Sequence, residues 1–99
     1  MNNNQLQEKI LEWASDRSLL SRDNILKQLA KTMSELGELA DAIIKSDQNG
    51  IVDGLGDVQV TLIILANQID LKYDACLECA YNEIKNRKGK TTNGTFIKE

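Results

Sequence analysis

The chain contains no proline, and its apolar residues recur at intervals of three and four over most of its 99 residues. These intervals place apolar side chains on one face of an α-helix, and the absence of proline leaves the helical hydrogen bonds unbroken. The pattern therefore predicts an all-α chain. Because a chain of this length has one modest core, we expect a single domain over residues 1–99.

Three weak breaks divide the chain into four predicted helices. The second helix is the best defined, because its apolar residues continue in steps of three and four through five turns. The turn that ends it contains Asn49 and Gly50, which tolerate left-handed backbone. Gly89 is expected to stop the fourth helix. The predicted helices cover about residues 4–16, 23–46, 51–68 and 73–88, and the tail, about residues 90–99, is expected to be an ordered arm or flap.

The third predicted helix is apolar on nearly every side in its second half. One stripe of apolar residues contains Leu62 and Leu65, and a second stripe contains Val60, Ile63 and Ile64. Three other helices in a monomer of this size can hardly cover all sides of it. The surplus face therefore predicts a subunit interface, most simply in a two-fold dimer. The alternative is that the first helix and the C-terminal tail cover this face.

The chain has no histidine, which limits the chemistry that it can perform. Ser-His-Asp and Cys-His catalysis are excluded, and zinc hydrolase sites are disfavoured because they use histidine ligands. Cys76 and Cys79 are three residues apart, but they have neither a preceding strand nor two further ligands. We therefore interpret them as small, half-buried helix residues rather than as a redox or zinc centre.

Charge and hydropathy indicate the surroundings in which the chain works. A net charge of −3 disfavours a broad nucleic-acid-binding surface. The N-terminus lacks a basic region followed by an apolar run, so it does not resemble a secretion signal. The longest apolar-rich stretch, residues 58–66, is interrupted by polar residues and is too short to span a bilayer. We expect a cytoplasmic protein with no nucleic-acid or membrane partner.

Four carboxylates form two pairs on the second and third predicted helices. Glu35 and Glu38 are three residues apart, and Asp53 and Asp57 are four apart, so each pair shares a helix face. Two helices joined by a short turn run antiparallel, and a rise of ~1.5 Å per residue puts the pairs at similar heights. The four side chains can therefore converge between the helices. Either they point into water, or one or two Mg²⁺ or Mn²⁺ ions offset their repulsion.

Glycines accompany both acidic pairs. Gly37 lies between the two glutamates, and Gly54 and Gly56 lie between the two aspartates. A glycine inside a helix costs about 1 kcal/mol relative to alanine. The three glycines therefore suggest that backbone or ligand approaches closely beside the carboxylates. This observation supports a metal site, although the solvent-exposed interpretation stays open.

The acidic pairs belong to longer segments that resemble a known family. Those segments are Lys31-Thr-Met-Ser-Glu35-Leu-Gly-Glu38-Leu39, Asp53-Gly-Leu-Gly-Asp57-Val58, Glu12-Trp13-Ala14, Ala80-Tyr-Asn-Glu-Ile-Lys85-Asn-Arg-Lys-Gly89 and Gly94-Thr-Phe-Ile-Lys98. They are similar to the MazG-like, all-α nucleoside triphosphate pyrophosphohydrolases with their Glu-x-x-Glu and Glu-x-x-Asp motifs. The similarity is greatest to the small single-domain forms often found in bacteriophages, and it extends over most of the chain.

The resemblance implies a four-helix bundle that assembles as a homodimer or homotetramer. It also implies Mg²⁺-dependent hydrolysis of a (deoxy)nucleoside triphosphate to the monophosphate and pyrophosphate. By position, it implies that the metal ligands are Glu35, Glu38 and Asp57. The family's usual fourth ligand is a glutamate three residues before the aspartate, where this chain has Gly54, so Asp53 is the natural substitute. Ser34 stands where many members have another glutamate.

Positive charge is expected to meet the outer phosphates of such a substrate. Lys31 lies one turn before the first glutamate. Lys85 and Lys88 lie at the end of the fourth predicted helix, where the alternative is a favourable interaction with the helix C-terminus. Asn82 is a candidate contact for sugar or base. Trp13 is either a base-stacking residue or a core anchor.

The catalytic scheme implied by the resemblance uses metal-bound water as the nucleophile. Glu38 or Glu35 would orient or deprotonate that water, and the sequence does not separate a base from a ligand. The departures at positions 34 and 54 leave a second interpretation open. In that interpretation the chain is a catalytically weak or inactive helical module that binds nucleotide, metal or another protein.

Overall fold

The computed structural model describes residues 1–99 and is mostly helical, which confirms the predicted all-α class. Its helices are α1 (Asn3–Asp16), α2 (Ile25–Ile44), α3 (Gln48–Gln68) and α4 (Tyr73–Ile84). A 3₁₀ turn spans Arg22–Asn24. Two antiparallel strands, β1 (Gly89–Thr92) and β2 (Thr95–Lys98), close the chain as a hairpin that was not predicted.

The turn between α2 and α3 is shorter than predicted. Its left-handed residue is Ser46, with φ 55°, and Asp47 follows as the N-cap of α3. The Asp47 carboxylate accepts a hydrogen bond of 3.1 Å from the backbone N–H of Gly50. Residues 48–50, which were expected to form the turn, therefore lie in the first turn of α3. The short connection makes α2 and α3 an antiparallel pair.

The end of the chain differs most from the prediction. α4 ends at Ile84 rather than at residue 88, and Gly89 lies in β1 rather than acting as a helix stop. Asn93 and Gly94 both have positive φ, 51° and 79°. Positive φ at two successive residues is the backbone of a type I′ turn, which an Asn-Gly pair favours strongly. The expected ordered arm is thus a two-stranded hairpin.

The core is small and lies mainly between α2 and α3, with α1 packed on α3. Only nine of the 99 residues are buried. The buried apolar residues are Ala14, Leu39, Ala42, Ile63 and Ile64. Because a helical pair with one further helix against it encloses few positions, most apolar side chains keep part of their surface in solvent.

Two glutamine amides fix α3 relative to its neighbours. Gln28 on α2 donates to the carbonyl of Thr61 on α3 at 3.0 Å. Gln68, which is almost fully buried at the end of α3, donates to the carbonyl of Leu19 at 2.7 Å. Because buried amides are costly to leave unpaired, these bonds favour one rotation of α3 about its axis. That rotation decides which α3 side chains face α2.

Apolar surface remains exposed on α2 and over the whole end of the chain. On α2 five exposed apolar side chains follow helical spacing on one face, and Ile44 is exposed beside them at the end of the helix. The five are Leu26, Leu29, Met33, Leu36 and Ile43. From residue 74 to residue 99 every residue is exposed. Cys76 and Cys79 lie in this segment as free, exposed thiols, so the expected half-buried placement is wrong.

By length and composition alone, α3 is apolar enough to cross a membrane. This differs from the expectation that no apolar stretch is long enough, because α3 is 21 residues long. The core helices of soluble proteins pass the same test, so the finding is weak evidence for a membrane span. Asp53 and Asp57 lie within this helix.

Candidate functional site

The acidic residues of α2 and α3 line one cleft beside the turn that joins the two helices. The cleft has a volume of about 310 Å³. Its carboxylates are Glu38 and Asp41 from α2, Asp47 from the turn, and Asp53 and Asp57 from α3. Three of the four predicted metal ligands therefore line it, and Asp41 and Asp47 join them although they were not predicted. In the sequence, Asp41 could have been found by its spacing of three residues from Glu38, and Asp47 by its position at the turn.

Gly54 lets α2 and α3 approach closely at this cleft. A Cβ atom on Gly54 would lie 3.1 Å from both the Cα and the Cβ of Leu39 on α2. Carbon atoms this close are in repulsive contact. Gly37 and Gly56, in contrast, have open space where a Cβ would be. The interpretation that glycine permits close approach therefore holds for one of the three glycines.

Glu35 lies behind the cleft as a buried carboxylate with one cationic partner. Its side chain is only 10% exposed, and its Oε1 lies 2.9 Å from the Nζ of Lys31. The hydrogen bond from Lys31 lowers the pKa of Glu35 and raises the pKa of Lys31. The second oxygen, Oε2, is buried and has no hydrogen-bond partner. A buried acceptor without a donor is costly, so this oxygen is suited to receive a cation.

Glu38 has the opposite electrostatic situation. A hydrogen bond with Glu35, followed by the negative charge of the same residue, raises the pKa of Glu38. The charge of Asp57 raises it further, while Lys31 lowers it in part. Glu38 therefore holds a proton more readily than an isolated glutamate, whereas Glu35 stays ionised. Glu35 is therefore the main influence on the pKa of Glu38.

The donor set of the cleft fits a hard divalent cation. All of its side-chain acceptors are carboxylate oxygens, which are the ligands that Mg²⁺ prefers, and the unpaired oxygen of Glu35 supplies a buried acceptor beside them. No three of the chain's acidic or thiol side chains, as they stand, are placed to hold one ion. A site built from Glu38, Asp53 and Asp57 would therefore require their side chains to rotate.

Both lysines at the acidic cluster are already paired with its carboxylates. Lys31 binds Glu35, and the Nζ of Lys45 lies 2.9 Å from Asp41 Oδ2 at the rim. The hydrogen bond to Asp41, together with its charge, raises the pKa of Lys45. Lys45 was not predicted to lie at the site, although its spacing of four residues from Asp41 indicated an ion pair between the two. No unpaired cation lines the cleft.

The other predicted substrate-binding residues lie outside the cleft. Trp13 is 47% exposed, and the Arg17 guanidinium stacks over its ring at 4.4 Å from the ring centroid. Trp13 is therefore not a core anchor. Asn82, Lys85 and Lys88 are exposed, and none of them lines the acidic cleft. Their predicted contacts with substrate stay predictions.

Comparison with known proteins adds evidence that is independent of this geometry. A family model described as MazG nucleotide pyrophosphohydrolase domain matches residues 24–91. An uncharacterized 18.2 kDa protein in the rep-hol intergenic region of Haemophilus phage HP1 (strain HP1c1) is 41% identical over 64 residues. Those residues make up 65% of this chain and 39% of the phage protein. The match thus spans about two fifths of that relative's length. No solved structure shows significant similarity to the chain.

Proposed function

Because this chain belongs to the MazG nucleotide pyrophosphohydrolase domain family, we propose that it hydrolyses nucleoside or deoxynucleoside triphosphates to the monophosphate and pyrophosphate. The observation that carries the proposal is the cleft lined by Glu38, Asp53 and Asp57, together with the buried, unpaired oxygen of Glu35, which neighbours Glu38. These residues all lie in the region that the family model matches. They supply the carboxylate oxygens that a Mg²⁺ site needs without histidine.

We infer that Glu38, Asp53, Asp57 and Glu35 hold Mg²⁺, with Mn²⁺ as an alternative occupant of the same oxygen ligands. When bound, the ion neutralises phosphate charge and lowers the pKa of a coordinated water. In the proposed hydrolysis, a water oxygen would form a bond to the α-phosphorus while the bond from that phosphorus to the bridging oxygen breaks. Pyrophosphate would leave, and the proton of the water would pass to a carboxylate of the cleft.

Glu38 is the residue best suited to take the proton from the attacking water. In the metal-free chain, hydrogen bonding with Glu35, and then its charge, raises the pKa of Glu38, and this carboxylate lines the cleft where the triphosphate would bind. Glu35 has a lowered pKa because Lys31 donates to it, so it remains an ionised acceptor throughout. The two glutamates therefore have different proposed roles. Glu38 would accept the proton at its carboxylate, and Glu35 would stay ionised as a negatively charged oxygen ligand.

The direct test is a product-resolved assay with Mg²⁺ and each common or modified nucleoside triphosphate. We expect monophosphate and pyrophosphate in equal amounts. Glu38→Gln keeps the size of the side chain but removes its basicity, so we expect kcat to fall by roughly 100-fold or more. Asp16→Asn changes an exposed acidic residue at the end of α1 and is expected to keep the activity of the unmodified chain. Release of orthophosphate, or full activity in Glu38→Gln, would contradict the proposal.

A second candidate function is nucleotide or metal binding without turnover. The observation that favours it is that no three acidic side chains are placed to hold an ion as they stand, together with Ser34 and Gly54 at positions where the family has glutamate. Calorimetry that detects nucleotide binding without product would support this alternative. A ligand at 100 times its Kd should then raise the free energy of unfolding by about 2.7 kcal/mol.

We also propose that the chain works as a homodimer or homotetramer. Nine buried residues form a very small core, while α2 exposes a continuous apolar stripe on the face that carries Leu29 and Leu36. An exposed apolar stripe of this kind is typical of a protein interface. We expect no membrane or nucleic-acid partner and a cytoplasmic location.

A further inference from the structure

The two cysteines of the chain, Cys76 and Cys79, both lie on α4, and both are free, exposed thiols. Residues three apart in an α-helix share a face, with Cβ atoms about 5–6 Å apart. Their Cα atoms are then about 5 Å apart, which lies within the usual range of about 4.4–6.8 Å for a disulfide. A disulfide needs Cβ atoms about 3.5–4.5 Å apart, so the pair must approach by about 1–2 Å to be joined.

The cysteine pair lies on a different side of α4 from its apolar side chains. Leu77, Tyr81 and Ile84 are exposed and follow helical spacing along one stripe. With 3.6 residues per turn, the centre of the cysteine pair is roughly 140° around the helix from the centre of this stripe. A partner that covers the apolar stripe therefore leaves the two thiols accessible to small reagents.

The first two turns of α4 are weakly held. Lys72 is the N-cap, and no side chain caps the helix there. The backbone N–H of Cys76 donates to the carbonyl of Lys72 at 3.1 Å, which closes the first helical turn, and residues 74–84 are all exposed. A helix of 12 residues is marginal in water without tertiary packing. Distortion around the cysteines therefore disturbs little other structure in the chain.

From these observations we propose that Cys76 and Cys79 are a reversible dithiol–disulfide pair, and that closing the disulfide unwinds the start of α4. The sequence disfavoured a redox centre because no strand precedes the pair. Thiol–disulfide exchange, however, requires an accessible thiol and a second thiol within reach, and the structure provides both. Strained or exposed disulfides are readily reduced, so the oxidised state is expected to be transient in a reducing compartment.

The oxidant in this proposal is a small disulfide such as glutathione disulfide. One cysteine thiolate attacks a glutathione sulfur, which forms a mixed disulfide and releases one glutathione thiolate. The second cysteine thiolate then attacks the protein sulfur of the mixed disulfide and releases the other glutathione. The two cysteine protons pass to the two glutathione thiolates. In total, the cysteines lose two hydrogen atoms, and one glutathione disulfide is reduced to two glutathione thiols.

The position of the pair links its oxidation to the rest of the domain. α4 lies within the region that the family model matches, residues 24–91. Asn82 lies in the last turn of α4, and Lys85 is its C-cap. Unwinding the start of α4 would change how these two residues are held relative to α3. The inference itself does not rest on hydrolysis, because its tests measure covalent state and helix content.

The first test is intact mass spectrometry of the full chain after equilibration with glutathione and glutathione disulfide, followed by acid quenching and alkylation of remaining thiols. We expect the unmodified chain to lose two hydrogen atoms and to carry neither a glutathione adduct nor an alkyl group. Cys76→Ser and Cys79→Ser each keep one exposed thiol, so each should retain a glutathione adduct. Adducts that persist on both cysteines of the unmodified chain would overturn the proposal. Disulfide-linked pairs of chains, or a chain that stays reduced while the serine variants are modified, would also overturn it.

The second test measures the helix content of the same samples by far-ultraviolet circular dichroism. The disulfide-closed chain should lose helical signal, by no more than the 12 residues of α4 contribute, and a reductant should restore it. The serine variants with a glutathione adduct are the matched control, because a capped thiol closes no ring and should leave the helix intact. An unchanged signal in the disulfide-closed chain, or an equal loss in the capped variants, would refute the proposed unwinding.

Discussion

Two glutamates one turn apart on α2 have opposite electrostatic surroundings, and this difference shows how single residues shape the site. Lys31 donates a hydrogen bond to Glu35 and lowers its pKa, whereas Glu35 raises the pKa of Glu38. Spacing alone placed both residues on one face of the second predicted helix. The spacing of four residues between Lys31 and Glu35 also indicated this ion pair, but it did not indicate that Glu35 is buried or that the pKa of Glu38 is raised. Asp41 and Asp47 were missed because their contribution depends on the geometry of the turn.

The raised pKa of Glu38 predicts that Glu38→Gln stabilises the metal-free protein near neutral pH. A raised folded-state pKa contributes stability that is present at low pH and lost as the pH rises through that pKa. In the unmodified chain Glu38 is ionised near neutral pH and repels Glu35, a repulsion that glutamine lacks. As the pH falls, Glu38 becomes protonated and the two proteins should converge in stability.

Melting temperatures in a chelating buffer from about pH 4 to about pH 7 test this expectation, because this range lies around and above the ordinary pKa of glutamate. Asp16→Asn is the control, because its carboxylate makes no ion pair or hydrogen bond in the structure. A Glu38→Gln protein that melts below the unmodified chain at neutral pH would show that the carboxylate is stabilising there. In that case the electrostatic assignment of Glu38 would be wrong.

At the level of elements, the packing of α2 on α3 rests on Gly54. A Cβ at this position lies 3.1 Å from the Cα of Leu39, so Gly54→Ala requires Leu39 on α2 to shift by a few tenths of an ångström. Overpacking costs roughly 1–3 kcal/mol, which exceeds the gain of about 1 kcal/mol in helix propensity. We expect a net loss of up to about 2 kcal/mol in the free energy of unfolding.

Gly56→Ala is the matched comparison, two residues further along the same helix. Apart from the backbone of α3 itself, no atom lies within 4 Å of its added Cβ, so only helix propensity changes. We expect a gain of about 0.5–1 kcal/mol. Urea unfolding of both variants at the same protein concentration gives the two signs directly. Equal effects of the two substitutions would mean that Gly54 does not set the approach of α2 to α3.

The elements themselves were predictable to different degrees. The regular spacing of apolar residues predicted α2 correctly, and the absence of proline supported the all-α class. The start of α3 was misplaced because Ser46, which carries no turn signal, takes the left-handed conformation while Asp47 caps the helix. The hairpin was missed although Asn93 and Gly94 form a strong turn signal. Its strands are so short and polar that alternation of apolar residues gave no second signal.

At the scale of the whole molecule, the distribution of charge and of exposed apolar surface is typical of a subunit of an oligomer. The body is acidic, the end is basic, and the apolar stripe of α2 faces away from α3. The sequence predicted a surplus apolar face on the third helix. The structure instead leaves more apolar surface exposed on α2 and over residues 74–99, because Ile63, Ile64 and Thr61 of α3 are buried. Which helix carries the surplus depends on the rotation of α3, and periodicity alone does not fix that rotation.

This distribution predicts that the chain assembles in solution through the exposed stripe of α2. Leu36 is 54% exposed at the middle of that stripe. Placing a carboxylate there by Leu36→Glu leaves the single chain's core untouched but puts a charge in the interface, where burying it without a partner is strongly unfavourable.

We expect the unmodified chain to sediment as a dimer or tetramer, and its Tm to rise with protein concentration because assembly stabilises the folded state by mass action. Leu36→Glu should sediment as a monomer or unfold at the same concentrations, both of which follow when folding depends on assembly. Lys27→Glu introduces the same side chain on the polar face of α2 and should keep the oligomer. An unmodified chain that is monomeric at every concentration, or a Leu36→Glu chain that assembles normally, would refute this interface.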